Sequence, residues 1–161
     1  MNEVYLSLGG NIGNRRAMME QAILRVSHLA ERLTKKSSLY ETEAWGVSGQ
    51  QPYLNCCVCI ETGLNAFELI KRLLEIEKEL GRTRNFSATY EPRTIDLDIL
   101  LFNQDVIEGD LTVPHPRMHL RKFVLIPLSE IAADHLHPVL NKSIFKLLAE
   151  CTDTSNVTLY Q

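Results

Sequence analysis

Between Ile95 and Phe102 the chain reads IDLDILLF, an apolar run whose first half carries an aspartate at every second position. A run of this length and composition predicts a strand, and successive strand side chains point to opposite faces. Asp96, Asp98, Leu100 and Phe102 then share one face, while Ile95, Leu97, Ile99 and Leu101 form a wholly apolar second face. The first face turns from acidic to apolar, which puts both carboxylates near one end of the strand, at the rim of whatever the sheet packs on. Two carboxylates so close repel one another and are costly to bury unpaired, so they need a counter-charge. Salt bridges to Arg82, Arg84 or Arg93 would supply it. So would a hard divalent cation such as magnesium, which takes oxygen ligands that converge on one spot.

The segments around this run have clear periodicities. EVYLSLGG, ending at Gly10, reads as a strand, and Met19, Ile23, Val26, Ala30 and Leu33 recur at three-four spacing in an amphipathic helix from Asn14 to Leu33. LTKKSSLYET predicts a second strand, EAWGVSGQQP a loop, and YLNCCVCIET a third strand. Asn65 is a good N-cap with Glu68 in capping-box position; Phe67, Ile70, Leu73, Leu74 and Leu80 line one side of the helix and Gly81 stops it. RTRNFSATYEP is a polar, arginine-bearing loop before the aspartate strand. The order β-α-β-β-α-β predicts an α+β, ferredoxin-like core, an antiparallel sheet with helices covering one face. A C-terminal extension follows, with DVIEGDLTVPHPRMHLRKFVLIPLSEIA rich in turn formers and bases and a short helix from about Ser143 to Glu150. Without a repeat, low-complexity tract or linker, residues 1–161 are expected to form one domain.

Charge narrows the function classes. With 17 basic and 20 acidic residues the net charge is -3, so there is no global field for nucleic acid and an anion site must be a local cluster. The bases do cluster, with Arg82, Arg84 and Arg93 before the aspartate strand and Arg117, Arg121 and Lys122 after it. No apolar run is long enough to span a membrane, and glycines interrupt the opening segment within ten residues, so a cytoplasmic protein is expected. Cys56, Cys57 and Cys59 lie in a strand whose neighbours face opposite ways, which suits small buried residues better than a zinc site. GGNIGNRR lacks the spacing and the lysine of a phosphate-binding loop, so phosphates would be held by side chains, with Arg82, Arg84, Arg93, Arg121 and His115 as the available donors. Pro114 and Pro116 bracket His115 and stiffen the backbone around it.

SLGGNIGNR, YLNCCVCIET, IEKELGRTR, PRTIDLDILLF and LTVPHPRMHLRKFVLIPL, in this order, resemble the 6-hydroxymethyl-7,8-dihydropterin pyrophosphokinases of folate biosynthesis, from Val4 to about Leu148. The resemblance implies transfer of pyrophosphate from ATP to the pterin hydroxymethyl group with release of AMP. It further implies that Asp96 and Asp98 bind two magnesium ions. Arg82 and Arg93 would act with these acids in catalysis, and Arg84, Thr112, His115 and Arg121 would hold ATP. The pterin would lie between the rings of Tyr90 and Phe123, with Tyr53 and Asn55 on the strand side and Thr42, Glu43 and Trp45 in the adjoining loop. Tyr90 stands where the family commonly has tryptophan, and a tyrosine also stacks. The loops from Thr42 to Gln51 and from Arg82 to Glu91 would close over the site. The implied protein is a monomer acting on two small molecules, without nucleic acid or membrane. Without the resemblance, Phe123 reads as core, and Tyr53 and Asn55 as the start of a strand.

Two other classes compete. An RNA-binding ferredoxin-like module would want exposed aromatics and a basic sheet face where this chain puts aspartates. Another magnesium-dependent nucleotidyl or phosphoryl transferase could use the two acids, but gives no reason for an asparagine and two rings.

Overall fold

The structure, a computed structural model, describes residues 1–43, 49–81 and 94–161. Its elements run β1 (Asn2–Gly10), α1 (Arg15–Ser27), β2 (Arg32–Lys36), β3 (Tyr40–Thr42), β4 (Tyr53–Thr62), α2 (Ala66–Glu79), β5 (Asp96–Phe102), α3 (Lys122–Ala132), α4 (Ile144–Glu150) and β6 (Val157–Leu159). Among the described residues the strands form one antiparallel sheet in the order β5-β1-β4-β3-β6, with β2 beside β3 along the same edge of β4. This is the ferredoxin-like arrangement expected from the element order, with β6 added at one margin.

Alternation along the strands feeds two cores. Val4, Leu6 and Leu8 of β1, Cys56, Val58 and Ile60 of β4, Leu97 and Ile99 of β5 and Ile95 just before it pack with Met19, Ala22 and Val26 of α1 and Leu69 and Leu73 of α2. On the opposite face Tyr5, Cys57, Cys59 and Leu100 pack with Val124, Leu125 and Leu128 of α3 and with Ile144 and Leu147 of α4. Helices therefore cover both faces, not one, because the C-terminal extension supplies the second layer.

Several boundaries differ from those the sequence predicts. Helix α1 stops at Ser27 rather than Leu33, because the Glu31 amide already donates to the Glu61 carbonyl and Leu33 lies in β2. The single strand expected over LTKKSSLYET is two. The Ser37 hydroxyl takes the Cys57 amide, and the Ser38 amide and hydroxyl turn to Glu130 on α3, so the backbone leaves the ladder until Tyr40. Helix α2 has the predicted cap, with Asn65 and Glu68 closing a reciprocal capping box, but buries Ala66, Leu69, Leu73, Ile76 and Glu77. Phe67, expected on the apolar side with Ile70, Leu73, Leu74 and Leu80, is 58% exposed. The turn-rich stretch after Ile107 contains α3, a helix with Pro127 inside it and an apolar composition that hides its period.

Strand β5 departs from strict alternation at one point. Leu6 pairs with Ile99 and Tyr5 with Leu101, so Leu100 is the extra residue of a β-bulge. Up to Leu100 the faces are those expected; beyond it Leu101 joins the α3-side core and Phe102 the α1-side core, the reverse of the predicted parity.

The capping box gives a direct test of why α2 starts where it does. Asn65→Ala is expected to lower stability by about 1 kcal/mol, read as a reduced urea midpoint with unchanged slope.

Candidate active site

The register of three strands brings the acids and the asparagine together. Asp96 pairs with Gly9 and Gly9 with Asn55; Asp98 pairs with Ser7 and Ser7 with Cys57. Cys57 lies in the α3-side core, so these rows all face that side of the sheet. Asp96 and Asp98 are both half-buried. The small residues Ser7 and Gly9 make a floor between acids on β5 and amide on β4, which stand about 10 Å apart across two strand spacings.

Asn55 leans over that floor. A Cβ on Gly9 would come within 2.4 Å of Asn55 Oδ1, so the glycine is what lets the amide lie across β1. Asn55 is only 5% exposed, yet its Nδ2 has no hydrogen-bond partner among the described residues. One row along, Thr42 pairs with Tyr53 and is 4% exposed, and its Oγ1 is likewise without a partner among the described residues. Native structures rarely leave buried polar groups so. A donor and an acceptor kept dry on one face suit a flat ligand with a polar edge.

The Val113–Pro114 hairpin delivers His115. Ile107 and Val113 form an antiparallel bridge, and the His115 amide donates to the carbonyl of Leu100, the bulged residue, at 2.9 Å. The bulge thus aims a backbone acceptor outward and docks the histidine beside the aspartate strand. The Arg117 amide donates to His115 Nδ1 at 3.1 Å, which leaves the proton of the neutral ring on Nε2. Burial holds the imidazole below its ordinary pKa; the charge of Asp98 pulls the other way, and Arg121 and Arg117 add to the lowering. The same interactions put His115 within electrostatic reach of Asp98, Arg121 and Arg117.

The start of α3 closes this side. The Lys122 amide donates to Asp153 Oδ2 at 3.0 Å, which caps the helix from the C-terminal tail. Arg121 lies over the Phe123 ring, 5.7 Å from guanidinium carbon to centroid, and Phe123 sits half-buried at the margin of the α3-side core, near the Cys57 row. The core reading of Phe123 is therefore half right. Thr112 lies exposed in the turn before Val113 with its hydroxyl directed to the Gly109 carbonyl, and Glu43 is exposed just past β3. Trp45, Arg82, Arg84, Tyr90 and Arg93, with residues 44–48 of the first closing loop and all of the second, lie outside the described residues.

The cysteines fit the strand reading. Cys56 faces the α1-side core and Cys57 and Cys59 the other, and burial raises the pKa of all three thiols. Sequence reasoning missed Ser7 and Gly9 as floor and Glu77, which is 3% exposed and accepts the Leu97 amide between the two aspartates at 2.8 Å. The one available signal for Glu77 was an acidic residue at an inward helix position.

The chain matches the family model of 7,8-dihydro-6-hydroxymethylpterin-pyrophosphokinase (HPPK) over residues 5–133. A 2-amino-4-hydroxy-6-hydroxymethyldihydropteridine pyrophosphokinase of Bacillus subtilis (strain 168) is 52% identical over 132 residues, covering 81% of this chain and 78% of the relative. The protein of the same name from Aquifex aeolicus (strain VF5) is 38% identical over 153 residues, 94% of each. For the fold, a solved HPPK-DHPS structure from Plasmodium falciparum matches with a TM-score of 0.73 and 15% identity over 92% of this chain. The match takes in 45% of that solved chain, so this chain spans less than half of it.

His115 reports the electrostatics of the site. Its imidazole, followed by NMR through a pH titration, is expected to protonate below the 6.5 of an unperturbed histidine. Asp98→Asn is expected to lower that midpoint further, because it removes the charge that favours the imidazolium. A midpoint insensitive to the substitution would uncouple the two groups.

Proposed function

The chain belongs to the 7,8-dihydro-6-hydroxymethylpterin-pyrophosphokinase family, and from that premise we propose how its residues move pyrophosphate from ATP to the hydroxymethyl group of the pterin. AMP leaves, and the pterin diphosphate enters tetrahydrofolate biosynthesis. The observation that carries the assignment of residues is the row Asp96, Gly9 and Asn55, which sets an acid, the floor and an amide whose Nδ2 has no partner among the described residues on one sheet face.

The pterin end is Asn55, Thr42, Tyr53 and Phe123. The Asn55 amide and the Thr42 hydroxyl meet the polar edge of the heterocycle, and the rings of Phe123 and Tyr90 hold its faces, with Glu43 and Trp45 contributing from the adjoining loop. The phosphate end is His115 and Arg121, joined by Thr112 and by Arg82, Arg84 and Arg93 from the segment just before β5. His115 donates from Nε2 to a phosphate oxygen, a role that the neutral tautomer fits. Asp96 and Asp98, oxygen donors on one face of a strand end, fit a hard cation and would hold magnesium, two ions in this reading. Magnesium, when bound, offsets the negative charge of the triphosphate. With the substrate hydroxyl kept against the β-phosphorus, positioning and fixed positive charge account for most of the acceleration. Residues 1–161 act in this reading as one domain, a cytoplasmic monomer without nucleic-acid partners. No described helix is long and apolar enough to cross a membrane.

The deciding experiment mixes the purified protein with ATP, magnesium and hydroxymethyldihydropterin and analyses the products, with pterin omitted as control. Pterin-dependent AMP and a diphosphorylated pterin are expected; ADP or free pyrophosphate instead would favour a different transferase. Asp98→Ala is expected to cut turnover by roughly a hundredfold or more while pterin affinity changes little. Near-normal turnover of the folded variant would remove Asp98 from the metal site. Phe123→Ala should weaken pterin binding by about 1 kcal/mol or more, measured by titration calorimetry.

A further inference from the structure

We propose that Arg15, capped by Tyr160, is a positioning residue for the pterin site, acting from the opposite face of the sheet. The inference rests on the pterin reading of Thr42, Tyr53 and Asn55. Arg15 opens α1, directly after the N-cap Asn14. Its Nη1 donates to Glu41 Oε2 at 2.7 Å and to the Pro52 carbonyl at 2.8 Å. Glu41 belongs to β3 and Pro52 immediately precedes β4, so one guanidinium nitrogen ties together both stems of the segment that joins those strands. Glu41 pairs with Leu54, whose side chain lies in the α1-side core, whereas Thr42 and Tyr53 form the next pair and face the other way.

The brace matters because the ladder at this point is short. Strand β3 holds three residues, and its pairing with β4 ends at Thr42 and Tyr53, the pair that flanks the site. Backbone pairing alone leaves the end of such a ladder free to splay. Asn11 adds to the hold on the β4 stem, its Nδ2 donating to the Gln51 carbonyl at 3.2 Å. The Arg15 side chain is 16% exposed, so its pairing with Glu41 is screened less than a surface ion pair would be.

Tyr160 completes the device from the far end of the chain. Its ring lies 5.6 Å from the Arg15 guanidinium carbon, and its amide donates to the Leu39 carbonyl at 2.9 Å. The preceding strand β6 pairs with all three residues of β3. Tyr160 lies outside residues 5–133, the span of the family match.

The test measures pterin affinity by equilibrium binding, and kcat and both KM values by AMP release, for wild type, Arg15→Ala, Tyr160→Ala and Tyr160→Phe. Arg15→Ala is expected to weaken pterin binding roughly tenfold, as loss of charged hydrogen bonds does. Tyr160→Ala should weaken it about two- to fivefold, the range of a cation–π contact, and Tyr160→Phe should restore wild-type affinity because the ring remains. The ATP KM and kcat at saturating pterin are expected to stay close to wild type. Equal loss for both substrates with a lowered Tm, or unchanged pterin affinity in Arg15→Ala, would overturn the positioning role. Absence of pterin-dependent AMP from wild type would instead overturn the underlying reading, so the two failures are distinct.

Discussion

The register between β1 and β4 decides which side chains meet over the sheet. Nine consecutive pairs, from Asn2 with Thr62 to Gly10 with Leu54, lock the central strands together. Slipping them by one residue would send every side chain of one strand to the wrong face. Either Leu6 and Leu8 or Cys56 and Val58 would leave their core, and Gly9 would no longer lie beneath Asn55. Core packing and site geometry therefore depend on the same alignment: the apolar parity that buries one side of the sheet is what presents Asn55 and the small floor on the other.

On this frame, each side chain at the site is held by something behind it. Glu77 takes the amide between the two aspartates, Leu100 offers its carbonyl to His115, the Arg117 amide fixes the imidazole tautomer, and Asp153 caps the helix that carries Phe123. At the margin, Glu130 of α3 accepts from Tyr40 and from Ser38, and these hydrogen bonds outweigh burial and keep its pKa below the ordinary value. Two atoms of the polar face, Asn55 Nδ2 and Thr42 Oγ1, have no hydrogen-bond partner among the described residues. Held in place by satisfied neighbours, these two atoms meet the proposed pterin edge without rearrangement in the reading given above.

Much of this was legible in the sequence. The alternation in IDLDILLF located the acids on one face near a strand end, and the Asn65 capping box fixed the start of α2, because both signals are local. What failed depended on partners distant in the chain. The strand break at Ser38 needs Glu130, 92 positions further along the chain. The buried stripe of α2 begins with a small Ala66 and ends with Glu77, so hydrophobicity alone slid the inferred face by one position toward Phe67. Gly9 could be read as a turn former, but its function as clearance for Asn55 emerges only when β1 and β4 are paired. Helix α3 was hidden by Pro127 and by the turn-forming prolines before it.

The bulge at Leu100 works as a change of phase within one strand. Upstream of it the α3-facing parity belongs to Asp96 and Asp98; downstream that parity passes to Leu101. The acidic end and the apolar end of β5 are thus set independently, each free to match its own neighbours on β1. The spare residue is where the two phases meet, and its carbonyl is tied to the hairpin that carries His115. A one-residue deletion there would not simply shorten a strand. It would restore strict alternation with the acids, Leu101 and Phe102 all keeping their sides, but it would remove the carbonyl that ties down His115, so the extra residue serves the hairpin rather than the parity of the strand.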